Sequence, residues 1–478
     1  MLDIQAPARI TGKLNTFVVD ADTIAGAKSR HRTTSKTYWA TAMSRMEPAD
    51  LFAILLGLAV LIGCINHLWV KLPPAIGMLL GSLALSAVIV CSDHVFHLHV
   101  MRWFRGTFAT ANLPRFFLDG VLALLLFAGS LHVDVKELSR RRWVILLLAT
   151  VSVILSTLIF GTAMWAVFAV IGTVVPLAWC IVLGAILAPT DAVVIEGLLQ
   201  RLALPSGLRA AIVGESLFND GAGVVLFLLA LGVTQGNTVV LGHGHVLAAL
   251  VRDIAGGGAL GFFAGWTAAL LIRRVKDEGL QLLISLALVL GSYRFANVLE
   301  LSGPIAVVTA GLCMASPSRR FGMAADSRVA VIGFWSLLDQ LLNSMLFLLI
   351  GLQLLGLIIK PMELLPIAFA VPLAVAARMI SVALPLLLTR ESLRDKARDT
   401  AVLTWAGLRG GISIALALTL PASPWRIDLL VVTYAVVIFT IVVQGLTIRR
   451  FLRAAYAPRK VESSENGAAR TRTGRQPL

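Results

Sequence analysis

The chain has 478 residues, 58% of them hydrophobic and 14% charged, with a mean hydropathy of +0.86 and a formal net charge of +15. A globular domain carries about 25% charged residues, so this composition excludes an ordinary soluble protein and describes one that lives in lipid. The positive balance would suit nucleic acid, but clusters of basic residues fall in alternate loops between apolar segments, the signature of membrane topology instead.

Residues 1–45 carry Arg9, Lys13, Lys28, Arg30, Arg32, Lys36 and Arg45 without the apolar core of a signal peptide. An N-terminal extension over 1–50, disordered or preceding a true start at Met46, is the expectation. From Leu51 onward, apolar segments near the 20 residues needed to cross a bilayer recur. We read thirteen, at 51–70, 73–91, 116–133, 143–171, 176–199, 207–234, 246–273, 279–298, 302–316, 330–358, 363–389, 399–420 and 427–448. They make residues 51–450 one all-α polytopic transmembrane domain, followed by a short disordered tail over 451–478.

Basic clusters follow spans three (Lys136, Arg140, Arg141, Arg142), five (Arg201, Arg209), seven (Arg273, Arg274, Lys276), nine (Arg319, Arg320, Arg328) and eleven (Arg390, Arg394, Lys396, Arg398). The positive-inside rule then places the C-terminus in the cytoplasm and the N-terminus outside, in a cell inner (plasma) membrane. Arg102, Arg105 and Arg115 break the pattern, and an interfacial amphipathic segment anchored by Trp103 and Phe104 accounts for them. Cys64, Cys91, Cys180 and Cys313 are scattered singly through apolar spans and are expected to be packing residues. Asp93, His94, His97 and His99, and His243 and His245, are read as interfacial or solvated groups.

Span five is interrupted by Ala188-Pro189-Thr190-Asp191. Proline removes a backbone donor and disfavours helix in the residue before it, so the span should unwind here and free carbonyls such as that of Thr190. Irregular backbone at membrane depth is tolerated where it lines a cavity, and carbonyls joined by a carboxylate are how broken helices hold small cations. Asp191 is one candidate ligand; a proline kink capped by Asp191 is the plainer alternative.

Span six carries Gly214-Glu215-Ser216-Leu217-Phe218-Asn219-Asp220-Gly221. Ionised carboxylates cost about 2.5 kcal/mol or more at the bilayer centre, so they are kept there chiefly for use. Glu215 and Asn219 stack on one stripe of the helix, Ser216 and Asp220 on the adjacent one. The second stripe can present a hydroxyl and a carboxylate to a cation while the first faces another neighbour. Interhelical hydrogen bonding that only holds the bundle is the competing role.

Asp339 and Asn343 of span ten are expected to pack. Arg378 in span eleven needs an acidic partner, and Glu215 is the best candidate because Asp191 and Asp220 must stay free for a cation. Span twelve contains Gly407-Leu408-Arg409-Gly410-Gly411, poor helix material in mid-membrane. Interruptions at corresponding places in two halves point to an inverted-repeat transporter, and the odd separation of spans five and twelve makes the two broken helices antiparallel at a crossing that includes Gly407, Arg409 and Gly410. Gly257, Gly261 and Gly265 form a ladder for close helix packing.

These motifs, in this order, resemble the monovalent cation:proton antiporters of the NhaP and eukaryotic NHE type. The matching runs are Pro189-Thr190-Asp191, Gly214 to Gly221, Leu342-Asn343-Ser344 to Ile350-Gly351-Leu352 and Gly407 to Gly411, with a looser likeness from Leu118-Asp119-Gly120 to Asp134. The resemblance implies a homodimer that exchanges one cation for protons. It implies Na+ bound by Asp220, Asp191, Ser216 and the Thr190 carbonyl, with Glu215, Asn219 and Arg378 as a supporting ion-pair cluster. Relatives with Asp-Asp at 219–220 are electrogenic, so Asn219-Asp220 favours electroneutral exchange. The chain departs from many relatives in having Ala192 after the aspartate.

Sodium/proton antiport is the reading, with potassium/proton antiport as its nearest alternative, since K+ and Li+ also take oxygen ligands. An intramembrane aspartyl protease using Asp191 and Asp220 is a third possibility. Catalytic triads, phosphate loops and zinc ligand sets are absent from the sequence, so neither an enzyme nor a cofactor is expected.

Overall fold

In lipid every backbone polar group must be satisfied within its own segment, which leaves helices as the solution for apolar runs of this length. The computed structural model of the chain is helical in every element among its described residues, which are 48–96, 120–191, 205–236, 245–316, 325–354, 361–388 and 393–456. The expected extension ahead of residue 48, the segment holding Arg102, Trp103, Phe104, Arg105 and Arg115, the histidines 97, 99 and 243, and the tail beyond Tyr456 lie outside them.

The helices are α1 (Pro48–Ile65), α2 (Pro74–Phe96), α3 (Leu122–His132), α4 (Val135–Arg140), α5 (Arg142–Ile171), α6 (Leu177–Leu187), α7 (Ser206–Thr234) and α8 (His245–Arg274). They continue with α9 (Glu278–Val298), α10 (Gly303–Ala315), α11 (Ala325–Gln353), α12 (Leu364–Leu387), α13 (Leu393–Ala406), α14 (Gly411–Leu418) and α15 (Arg426–Tyr456). Among the described residues, the unit Met1–Ile54 contributes only the opening turns of α1; the other helices belong to the unit Leu55–Leu478.

Local chemistry sets many of the ends. Asp134 caps α4 by accepting from the amides of Lys136 and Glu137, Asp277 caps α9 through Leu280, and Ser302 caps α10 ahead of Pro304. Gly172, at φ 84°, closes α5 in the left-handed conformation that favours glycine.

Nine helices among the described residues are long and apolar enough to cross a membrane, or ten when α13 and α14, bent by 55°, form one broken span. The other three expected spans are represented among the described residues by the shorter apolar helices α3, α6 and α10, and expected spans three and five extend into residues outside the described ones, so the count of thirteen is not confirmed. Two expectations need correction. α15 runs to Tyr456 instead of ending near 448, because its last turns are amphipathic: Ile448 and Leu452 are buried while Arg449, Arg450 and Arg453 face outward. Phe451 stacks on Trp405 at 5.5 Å and the Tyr456 hydroxyl donates to Asp399 at 2.7 Å, fixing residues assigned to the tail against α13. Of the cysteines, only Cys180 and Cys313 are packing residues; Cys64 and Cys91 are exposed on outward faces.

Packing relies on small residues and hydroxyls, as expected where helices gain nothing by hiding from water. Gly257, Gly261 and Gly265 of α8 face the carbonyls of Ser302, Ala306 and Ala310 along α10, with no room for a Cβ at any of the three. Gly184 of α6 sits as tightly on the Thr157 carbonyl of α5. Ser82 and Ser86 of α2 donate to the Phe347 and Gly351 carbonyls of α11 at 3.3 and 2.8 Å. Phe127 of α3 and Trp335 of α11 meet at 4.7 Å in the apolar centre formed with α8, α9 and α10, where the Trp335 indole donates to Ser285.

A second group of helices, α5, α6, α7 and α12 to α15, surrounds the two interruptions. α6 packs along α5 and α13 along α12, while α5 and α12 pack on each other. Each broken span therefore lies beside the span that precedes it, as an inverted repeat requires.

Candidate functional site

α6 stops at Leu187 and residues 188–191 are not helical, because Pro189 can neither donate a hydrogen bond nor admit helix before it. α13 stops at Ala406 and α14 starts at Gly411. The two interruptions meet: the Asp191 amide donates to the Leu408 carbonyl at 2.7 Å. Glycines make the approach possible. A Cβ on Gly410 would collide with the Asp191 side chain, one on Gly407 with the Arg378 guanidinium, and one on Gly223 of α7 with the Pro189 ring.

Buried backbone groups need partners, and those of the first interruption can be followed one by one. The Ala188 amide donates to Ala185, the Thr190 amide to the Asn219 side-chain oxygen at 3.3 Å, and the Asp191 amide to Leu408. The carbonyls of Ala188 and Pro189 accept from the Arg409 guanidinium, the latter at 3.1 Å. The Thr190 carbonyl accepts from the Ser216 hydroxyl at 2.5 Å.

In the second interruption the Gly407 amide donates to Thr404 and the Leu408 amide to Ala406. The Arg409 amide donates to the Thr440 hydroxyl at 3.1 Å, and that hydroxyl sits in a π-turn of α15, donating to Val437. Each interruption is thus held by a side chain from the span that follows it, Asn219 for the first and Thr440 for the second.

α7 brings the carboxylates. Glu215 and Arg378 form a bidentate ion pair, Nη1 to Oε1 at 3.0 Å and Nη2 to Oε2 at 2.6 Å, with both side chains 3% exposed. Asn219 donates to Glu215 Oε1 at 2.6 Å and to the Thr190 hydroxyl at 2.7 Å, linking this pair to the interruption. On the adjacent stripe, Ser216 and Asp220 are buried, and Asp220 Oδ1 has no hydrogen-bond partner among the described residues. Asp191 and Glu215 lie close enough to act on Asp220 through their charge. Asp191 is partly exposed.

All ten residues singled out from the sequence, Thr190, Asp191, Glu215, Ser216, Asn219, Asp220, Arg378, Gly407, Arg409 and Gly410, converge on this crossing. Asp339 and Asn343 do not join it; they bond to each other along α11 at 3.1 Å. Thr440 escaped sequence reasoning. A lone threonine in Val436-Val437-Ile438-Phe439-Thr440-Ile441 carries no signal, since such hydroxyls commonly bond back to their own helix. The task of Arg409 was equally hidden, because its partners are carbonyls and not acids.

The family described as "Sodium/hydrogen exchanger, transmembrane" matches residues 53–454. The Na(+)/H(+) antiporter NhaP of Pseudomonas aeruginosa is 35% identical over 428 residues, covering 87% of this chain and 99% of that protein. The Na(+)/H(+) antiporter NhaH of Halobacillus dabanensis is 28% identical over 84% of this chain and 96% of its own length. Among solved structures, the sodium proton antiporter MjNhaP1 of Methanocaldococcus jannaschii superposes with a TM-score of 0.66 at 18% identity, covering 85% of this chain and 98% of that one. This last likeness speaks to the fold.

Proposed function

Because the chain belongs to the sodium/hydrogen exchanger family, we propose that its sodium/proton exchange runs through Asp220, Asp191, Ser216 and the Thr190 carbonyl, with Glu215, Asn219 and Arg378 as the frame. Membership in a transporter family sets aside the aspartyl protease reading of the same two carboxylates. The observation that carries the assignment is Asp220 Oδ1: a buried carboxylate oxygen with no hydrogen-bond donor among the described residues, one turn from a serine hydroxyl that rests on the Thr190 carbonyl.

An uncompensated charge at that depth is expensive, so the carboxylate takes either a proton or a cation. Either loaded state can pass between the two sides, and the bare site passes poorly, which couples the fluxes. The Ser216 hydroxyl can rotate away from Thr190 and leave three kinds of oxygen, carboxylate, hydroxyl and carbonyl, for a hard monovalent ion. Those donors do not set an ionic radius, so K+ and Li+ stand as competing cargo. The family resemblance supports a homodimer, and the basic loops support a plasma-membrane protein with a cytoplasmic C-terminus.

Asp220→Asn tests the assignment, since it removes the charge while keeping the shape. In proteoliposomes carrying an internal pH dye, sodium-driven proton flux should fall to background while the purified protein elutes as the wild type does. Flux at the wild-type rate would move the site elsewhere. Repeating the wild-type measurement with potassium and lithium gives the selectivity.

A further inference from the structure

The end of a helix collects negative partial charge on its last carbonyls and favours a cation there. At the end of α6 the three successive carbonyls of Ala188, Pro189 and Thr190 belong to a non-helical, buried segment. They are not treated alike. Arg409, 3% exposed, donates to the first two. Among the described residues the Thr190 carbonyl instead has a neutral, rotatable donor, the Ser216 hydroxyl. Arg409 is fixed in turn: its own amide is held by Thr440 and the neighbouring Leu408 carbonyl by the Asp191 amide. Its guanidinium lies near Glu215 and Arg378, which already satisfy each other.

We propose that Arg409 is a built-in cation that permanently occupies the Ala188 and Pro189 carbonyls and thereby confines the transported ion to Thr190, Asp191, Ser216 and Asp220. It is a specificity-determining residue that acts without touching the cargo. Arginine suits the task because it stays charged and a single guanidinium nitrogen, Nη1, carries the two N–H groups that reach both acceptors. The inference rests on the exchange reading above, and wild-type vesicles separate the two: absence of sodium-driven proton flux there would sink that reading and not this one.

The test is chemical rescue. In Arg409→Ala vesicles the maximal rate of sodium-driven proton flux should drop by roughly tenfold or more, as expected for loss of two charge-assisted hydrogen bonds. Millimolar guanidinium chloride should restore part of it, while accelerating neither the wild type nor Asp220→Asn. Binding of radiolabelled sodium to Arg409→Ala should show a second class of site, closed again by guanidinium. Wild-type flux in Arg409→Ala, or slow flux in correctly eluting protein that guanidinium leaves slow, overturns the proposal. Should Arg409→Ala not survive purification, Arg409→Lys and Arg409→Gln decide instead. They are similar in reach and differ in charge, so Lys should keep several times the activity of Gln per folded molecule; equal activity would make Arg409 a structural tie only.

Discussion

At Glu215 an acid sits where nothing but a guanidinium could justify it. The pairing with Arg378 was legible in the sequence by elimination, since a buried charge demands a partner and Asp191 and Asp220 were expected to stay free for a cation. What sequence could not supply was Asn219 as the link: its amide reaches Glu215, the Thr190 hydroxyl and the Thr190 amide together, and nothing in the spacing of α7 foretells a contact with residues 29 positions earlier. Breaking a buried ion pair from one side costs about 3–5 kcal/mol, because the surviving charge is left uncompensated. Arg378→Ala should therefore sharply lower the yield of monodisperse protein and its thermal midpoint in detergent. Arg378→Ala combined with Glu215→Gln removes both charges and keeps an acceptor for Asn219, so part of the loss should return, a coupling of roughly 0.5–3 kcal/mol. Additive losses, read by fluorescence-detected gel filtration after heating, would mean that the pair contributes nothing as a pair.

At the scale of elements, the positions of the breaks were readable and the ends of the helices were not. Proline and glycine act through the backbone itself, so Pro189 and Gly407 to Gly411 announce interruptions whatever surrounds them. The π-turns at Leu148–Ser152 and Thr440–Gln444 carry contacts to distant residues, Ser381 for Ser152 and Arg409 for Thr440, that leave no local trace. The glycine ladder of α8 lies between these cases: its period is visible, its facing carbonyls are not. It offers a controlled comparison. Gly261→Ala should lower the thermal midpoint, because the added methyl meets the Ala306 backbone and a tight site resists extra volume at about 1–3 kcal/mol. Gly258→Ala, on the same helix but with nothing nearer than 3.9 Å, should leave stability unchanged or raise it by up to about 1 kcal/mol through helix propensity. Equal effects of the two substitutions would remove close α8–α10 contact as the reason for the ladder.

For the whole molecule, the arrangement of charges bears on what the membrane potential can do. Glu215 and Arg378 cancel as a bonded pair. Arg409, always charged, offsets one of the two remaining carboxylates of the crossing, Asp191 and Asp220. One negative charge is left, and one sodium ion or one proton neutralises it equally well. On the proposed assignment both loaded forms of the site have the same charge as they cross, so the potential would perform no net work on a cycle of one sodium for one proton. A single uncompensated charge would feel about 2.3 kcal/mol per 100 mV, which corresponds to roughly a 50-fold bias between the two polarities. Sodium/proton exchange in proteoliposomes should accordingly run at the same rate under inside-positive, zero and inside-negative potentials imposed with potassium and valinomycin, in the absence of competing potassium transport. Acceleration by one polarity approaching that bias would show that the crossing moves more protons than sodium ions, and would require either Asp191 or Asp220 to release a proton beyond the one exchanged for sodium.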